Sequence, residues 1–543
     1  MKRITLSLFA AVLILVACND ENRTASDGRV AGGNQDLIPR NHSITKANAY
    51  TDVFLDSSAM EAFIADQHLN DTISVGMRSF YNARNYQYAW FASDGLTEQA
   101  LAFRNLYDYS NDSGTSHKSL DRRLEGLMAR DSLNVGSGDA EIRKTELLLT
   151  WRYINYVWDK FDGKKTRRVA LEQLVPSKKY GPQELAKLLA ADHDAPNKNY
   201  EALQREVSRY SKIAAQGGWG FIAAPSKKLK KGAIDTVVVA LKKRLQATGQ
   251  FTDNDTSAVF NDQLDAAVKS VQLGYGFTAD GVVTAALLKE LNVSAERRLE
   301  QLLVNLERMR WMPAEPSGSL ILVNIPAFKM YVQDGSKELF NMDVVVGKEG
   351  HSTVLFSGNL NQVVFSPYWN IPESIVRKEV LPELAKNSNY LTEHQMEVTG
   401  EEDGLPVIRQ LPGNQNQLGK IKFLFPNRFN IYFHDTPFKE LFNKDKRAYS
   451  HGCIRLREPV KLAEFLLMNQ PEWPRERIDS AMNSGKEKFV KVKDPVPVLI
   501  YYYTAWVDGN KQLQFREDIY GYDERLAKKM FAPASSSVPL ATR

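Results

Sequence analysis

Two short stretches decide the reading of the C-terminal half: Phe429-Asn430-Ile431-Tyr432-Phe433-His434-Asp435-Thr436-Pro437 and Ser450-His451-Gly452-Cys453-Ile454-Arg455-Leu456. In the first, apolar residues alternate at Phe429, Ile431 and Phe433, the period of a half-buried strand, which sends Tyr432 and His434 to the opposite face. In the second, Ile454 and Leu456 take the buried face and leave Cys453 and Arg455 on the other. Gly452 lets the backbone bend, or be approached closely, directly before the cysteine. Both segments therefore read as strands that hold reactive side chains away from the core.

Working outward, the same period recurs. Leu320-Ile321-Leu322-Val323 and Phe328, Met330 and Val332 predict two strands, followed by a turn at Asp334-Gly335. Met342, Val344 and Val346, then Val363-Val364-Phe365, then Ile421, Phe423 and Phe425 continue the sheet. The run PVLIYYYTAWVDGNKQLQF is expected to end it as a hairpin about Asp508-Gly509. Pro459 opens a helix carrying Val460, Leu462, Ala463, Phe465 and Leu466. Residues 317–515 thus form a β-rich catalytic candidate. A long insertion, 373–420, interrupts it, with a helix predicted over 373–386; loops of this length are often lids or binding elements.

Upstream the period becomes helical. Residues 49–232 read as a helical scaffold, with Phe54, Met60, Phe63 and Ile64, and later Leu147, Leu148, Trp151, Ile154 and Val157, at helical spacing. Residues 233–293 form a small three-helix unit with a turn at Asp280-Gly281. Residues 294–316 make a connecting amphipathic helix capped by Ser294, its stripe Leu299, Leu302, Leu303, Leu306 and Met309. Residues 19–48 are polar and aperiodic and read as a flexible tether; 516–543 form a C-terminal segment ending in a disordered tail. The fold class is multidomain α+β.

Composition bounds the function. With 543 residues, 43% hydrophobic and 25% charged, the chain is no multi-span membrane protein, collagen or wholly disordered polymer. The net charge of +5 includes Lys2 and Arg3 of the leader, and a balance so near neutral gives no support for nucleic-acid binding. Residues 1–18, MKRITLSLFAAVLILVAC, pair a basic start with an apolar run too short to span a bilayer comfortably, a signal peptide. Only two cysteines occur, Cys18 and Cys453, so no disulfide framework exists.

Cys453 needs its thiolate form to attack, and an imidazole is the common means of lowering its pKa; His434 and His451 are the candidates. Nucleophile and base need adjacency in space only. Taken alone, these residues also fit a buried inert cysteine, or a zinc site of His434, His451 and Cys453.

The combination HDTP…SHGCIRL resembles the catalytic signature of the L,D-transpeptidase family with a YkuD-type domain. VNIPAFKMYVQDG is similar to that domain's first hairpin, and VVVGKEGHSTVLFSGNLNQVVFSPYWNIPESIV to its central strands. LDAAVKSVQLGYGFTADGVVTAALLKELN resembles a small peptidoglycan-binding domain, and Leu15-Val16-Ala17-Cys18 the lipobox of bacterial lipoproteins. The resemblance implies Cys453 as nucleophile and His434 as its proton acceptor and donor, oriented by the backbone carbonyl of Asp435. It implies an oxyanion hole from the backbone of His451, Gly452 and Cys453 in a loop held by Ser450 and His451. Tyr432 and Arg455 are then substrate-binding, and the sulfur is expected to be held ionised by the imidazole.

The implied activity is 3→3 cross-linking of peptidoglycan stem peptides through a cysteine thioester. It uses no metal and no cofactor, and carbapenem-type inhibitors acylate such thiols. Lipidation at Cys18 implies a membrane anchor on the periplasmic side of a bacterial envelope, with Asn19 leaning towards the outer membrane. An L,D-carboxypeptidase of the same fold, or a non-catalytic peptidoglycan-binding lipoprotein, remains open on these residues.

Overall fold

The computed structural model describes residues 37–110, 118–128, 135–136, 138–191, 197–312, 318–427 and 429–532. The leader, Cys18, residues 19–36 of the expected tether and the end of the C-terminal tail lie outside the described residues. Among the described residues no helix is long and apolar enough to cross a membrane.

The C-terminal domain is built on nine strands: β1 (Ser319–Asn324), β2 (Lys329–Asp334), β3 (Lys337–Gly347), β4 (Ser357–Phe365), β5 (Ile421–Leu424), β6 (Phe433–His434), β7 (Ala448–Ser450), β8 (Ile454–Leu456) and β9 (Lys488–Tyr501). They run in the order β7-β3-β8-β6-β5-β4-β9-β1-β2, and because β2 also pairs with β3 the sheet closes on itself. Closure pairs the edge of β2 and leaves β7 as a short flank joined only to β3. The interior is apolar, with Val332, Val344, Val363, Phe423, Phe433, Ile454 and Leu456 among the side chains that fill it. This is the alternation read from the two signature stretches, and it leaves the intervening polar side chains on the outer face.

The insertion crosses that outer side. It starts with a helical run, Glu373–Ile375, a π-turn at Val376–Val380 and Leu381–Lys386. A three-stranded sheet of Trp369–Asn370, Met396–Glu402 and Leu405–Gln410 follows, packed on Ile371, Ile375, Val376 and Ile408. The predicted helix is present, but the π-turn inside it, a feature common near functional sites, has no signature in the apolar period.

The N-terminal region is helical, as its period requires, with its own aromatic core about Phe80, Trp90, Phe103 and Tyr153. Two local expectations fail. Phe54 lies outside the first helix (Ser57–Asp66), in an isolated bridge to Gln87, because Asp56 caps that helix and stops it extending backwards. Residues 37–48, expected as tether, are pinned instead. Ile38 and Ile44 are buried, the Ile38 N–H donates to Ser79 Oγ at 3.2 Å, and Asn82 and Asn85 donate to the carbonyls of Ile38 and Ile44.

The small three-helix unit comprises Val237–Ala247, Asp262–Gly274 and Ala285–Leu291. Its core is continuous with that of the Lys198–Ala215 helix, the connecting helix Ala295–Met309 and the C-terminal helix Tyr522–Met530. The hairpin at Asp508-Gly509 forms, but Ala505–Val507 and Leu513–Phe515 make a separate ribbon instead of closing the main sheet. The ribbon is held elsewhere: Gln301 donates to the carbonyls of Thr504 and Arg516, and Arg516 donates to the Gly274 carbonyl at 2.8 Å. Three polypeptide regions also meet at Arg308 of the connecting helix, which pairs with Glu98 and with Asp523, each at 2.5 Å.

Candidate active site

β6 and β8 lie side by side and parallel, with Phe433 opposite Ile454 and His434 opposite Arg455. On its other side β6 pairs with β5, where Lys422 faces His434. This register brings the two signature segments together on the outer face of the barrel. A tight turn precedes β6: Asn427 Oδ1 accepts from the N–H groups of Phe429 and Ile431, and Asn430 takes a left-handed φ of 52° that asparagine tolerates. That turn aims the Asn430 carbonyl at the Cys453 thiol, Sγ to O at 3.5 Å.

Cys453 is half-buried and, among the described cysteines, free. Besides Asn430, the sulfur meets the hydroxyl and backbone of Tyr432. Burial pushes its thiol above the ordinary cysteine value, a shift that the Tyr432 hydrogen bonds and nearby Arg455 only partly offset. His434 is 3% exposed. Burial, with Arg455 beside it, depresses the imidazole to about 3, against the opposing pull of the Asp435 and Leu418 carbonyls. The ring nitrogen Nδ1 donates to the Asp435 carbonyl at 2.5 Å, which leaves Nε2 without a proton in the neutral ring. Both shifts work against a standing thiolate–imidazolium pair, and no direct hydrogen bond joins the two groups among the described residues. The expectation of an ionised sulfur is corrected here. Burial disfavours both charges more than the neighbouring groups favour them.

The turn carrying Cys453 is fixed on all sides. Ser450 Oγ donates to the Cys453 carbonyl at 2.5 Å and accepts the Gly452 N–H at 3.2 Å. The next N–H, of Ile454, donates to the Tyr432 carbonyl at 3.1 Å. Gly452 has φ 114°, a conformation that glycine adopts without strain. The Gly452 N–H, expected as one of three oxyanion donors, is instead taken by Ser450 Oγ.

His451 is exposed and reaches the insertion, Nε2 to Glu379 Oε1 at 3.1 Å, with its ring 5.0 Å from that of His351. It thus ties the loop to the insertion. Partial burial, with Lys348 and His351 nearby, holds its imidazole below the usual histidine range although Glu379 pulls the other way. Tyr432 lies 5.8 Å, ring to ring, from His434. Arg455 is half-buried over the Phe438 ring at 5.6 Å, its Nε without a partner among the described residues. Asp435 accepts from the Lys420 N–H at 3.0 Å and pairs with Lys439 at 2.5 Å. Gly419 lies against it, where an added Cβ would come within 2.4 Å of its carboxylate.

His434, His451 and Cys453 do not converge on a metal-binding cluster among the described residues. A cleft open to solvent, with about 640 Å³ of empty space, lies elsewhere, between Ala102, Trp311 and Tyr501 at the scaffold junction, and holds none of these side chains. Reactive groups, not volume, mark the site. Sequence reasoning missed Leu418, whose carbonyl stands beside the His434 ring, Glu379, and the pair Thr353 and Tyr520 behind the cysteine turn. Their contributions are isolated backbone, carboxylate and hydroxyl contacts that leave no periodic trace.

Comparison with known proteins gives three family models along the chain. Residues 318–500 match the L,D-transpeptidase catalytic domain (YkuD), residues 76–216 a scaffold domain, and residues 235–291 a domain described as "Putative peptidoglycan binding domain". A curated protein of Haemophilus influenzae, named "Putative L,D-transpeptidase", is 32% identical over 255 residues, 44% of this chain and 50% of its own length. The chain therefore matches about half the length of that relative. Among solved structures, an L,D-transpeptidase from Stackebrandtia nassauensis is similar at 13% identity and a TM-score of 0.22, covering 51% of this chain and 97% of its own. An LD transpeptidase in complex with imipenem is similar at 13% identity and a TM-score of 0.18, covering 34% of this chain and 59% of its own. Residues 318–500 are thus a YkuD-type L,D-transpeptidase catalytic domain, with a scaffold domain and a peptidoglycan-binding-like domain matched upstream of it.

Proposed function

We propose that the protein is a peptidoglycan L,D-transpeptidase that joins stem peptides by 3→3 cross-links through a thioester on Cys453. One observation carries this reading: the one thiol among the described residues sits on a backbone turn pinned at both flanking peptides, which leads into a strand parallel to and paired with that of His434. Acyl transfer needs this combination of a nucleophile, a nearby base and a fixed N–H donor for the developing oxyanion.

In the first half-reaction Sγ attacks the carbonyl at the L-centre of the diamino acid of a tetrapeptide stem. Its proton passes to His434 as the S–C bond forms, and then to the departing amine of the terminal D-alanine as the C–N bond breaks. In the second, the side-chain amine of another stem attacks the thioester. His434 accepts the amine proton and returns it to the sulfur. Because both shifts work against a standing ion pair, proton transfer is coupled to attack on bound substrate instead of preceding it. Catalytic contacts commonly tighten only in the substrate complex. The Cys453 N–H stabilises the oxyanion, and unpartnered Arg455 suits a substrate carboxylate.

The insertion, tied to the turn by Glu379, acts as a cap that keeps water from the thioester. The thiol is the expected target of carbapenems, and the Leu15–Cys18 lipobox supports a lipid anchor on the periplasmic side, in the outer membrane. Hydrolysis by the same residues, giving an L,D-carboxypeptidase, is the competing outcome. Incubation with purified disaccharide-tetrapeptide decides between them by mass: a dimer lacking one alanine supports transfer, and tripeptide alone discards it for hydrolysis.

A further inference from the structure

Behind the cysteine turn stands a second layer that none of the signature residues predicts. β3 ends at Gly347, where an added Cβ would lie 2.1 Å from the His351 carbonyl and 2.8 Å from the Thr353 nitrogen, so the chain folds back on itself there and only glycine fits. The fold-back delivers Thr353, fully buried, against the turn. Its Oγ1 accepts the Gly347 N–H at 3.0 Å and donates to the Gly452 carbonyl at 2.8 Å. Tyr520, from the C-terminal segment, closes the loop: its hydroxyl donates to the Gly347 carbonyl at 2.6 Å and accepts the Thr353 N–H at 3.3 Å.

A planar trans peptide points its C=O and its N–H in opposite directions. The carbonyl of the 452–453 peptide is held inward by Thr353, so the N–H of the same peptide, that of Cys453, must face away from Thr353, toward the outside of the turn. The left-handed φ of Gly452 makes the alternative accessible: glycine tolerates a flip of this peptide, which would turn the N–H inward. Without the hydroxyl nothing among the described residues would hold the carbonyl in its present direction. Valine, the same shape without the donor, would leave the buried carbonyl unpaired.

We propose that Thr353 is a positioning residue that locks the Gly452–Cys453 peptide so that the Cys453 N–H serves as oxyanion donor, with Tyr520 holding Thr353 in place. This deepens the acyl-transfer reading and rests on it. The role is specific to steps in which a carbonyl oxygen gains charge, and that separates it from general support of the loop.

The test compares two probes of Cys453 in the full chain. p-Nitrophenyl acetate acylates the thiol: the S–C bond forms through an oxyanion, p-nitrophenolate leaves and the thiol proton is released. Iodoacetamide alkylates it by displacing iodide, with no oxyanion. Thr353→Val is expected to slow acylation by about 10²-fold, the usual effect of removing one oxyanion donor, while alkylation changes less than about twofold. Thr353→Ser should restore acylation, and Tyr520→Phe should give a smaller loss in the same direction, which preserves the test should the valine variant fold poorly. Equal losses with both probes, or unchanged acylation in the Val and Phe variants, would overturn the assignment. A wild-type thiol inert to both probes would instead defeat the catalytic reading beneath it.

Discussion

Glu379 of the insertion meets His451 of the cysteine turn, Oε1 to Nε2 at 3.1 Å, so the insertion is fastened to the loop that carries Cys453. The contact joins segments more than seventy residues apart, and the acid sits on a π-turn that rotates it out of the helical register. Removing it should loosen the cap and leave the thiol in place. For Glu379→Gln we expect the fraction of thioester lost to hydrolysis to rise several-fold over cross-link formation, read by mass spectrometry of the products. Unchanged partitioning would discard the cap as a water barrier.

Cys453 titrates above the ordinary thiol range because burial outweighs its hydrogen bonds from Tyr432. Alkylation by iodoacetamide should therefore be slow at pH 7 and climb with pH beyond 9, with no plateau in the acid range. A plateau reaching down to pH 5 would reveal a standing thiolate–imidazolium pair. A carbapenem should add its mass to the wild type and not to Cys453→Ala.

His434 is held at about 3, far below the usual histidine value. The unfolded chain takes up a proton near pH 6.5 that the folded chain refuses until about 3, so stability falls as pH drops through that window. His434→Gln removes this contribution, and its urea midpoint should vary less between pH 6.5 and 4 than that of the wild type. Transfer activity should drop by about 10²–10⁴-fold in the same variant, the usual contribution of a general base.

Arg308 is buried between Glu98 and Asp523 at the meeting of scaffold, connecting helix and C-terminal helix. Arg308→Met strands two carboxylates and should cost about 3–5 kcal/mol in urea unfolding, the range for breaking a buried pair from one side. A loss below about 1 kcal/mol would mean that water reaches the carboxylates.

The sequence displayed the site's inner layer because strand alternation is a strong constraint. A residue slip would have exposed Phe433, Ile454 and Leu456 together, so His434, Cys453 and Arg455 had to face outward. It did not display which strands pair, and the parallel match of His434 with Arg455 is a property of barrel closure. Nor did it display charge state, since burial shifts both the sulfur and the imidazole, and burial depends on what packs around them. Thr353 lies 99 residues before the group it holds, and one hydroxyl-to-carbonyl contact carries no period or motif. The separate ribbon at 505–515 was read as part of the main sheet because a hairpin turn specifies its own two strands and not their partner.

The shared core of the small three-helix unit, the connecting helix and the ribbon has a mechanical outcome. With Arg516 wedged against Gly274 and Gly276, the unit cannot swing like a module on a leash. Any strand of the wall gripped there would sit at a constant offset from the sulfur. Which stems come within reach would then be measured out by rigid dimensions of the protein, as with the jaws of a caliper, and not by diffusion of a tethered hand.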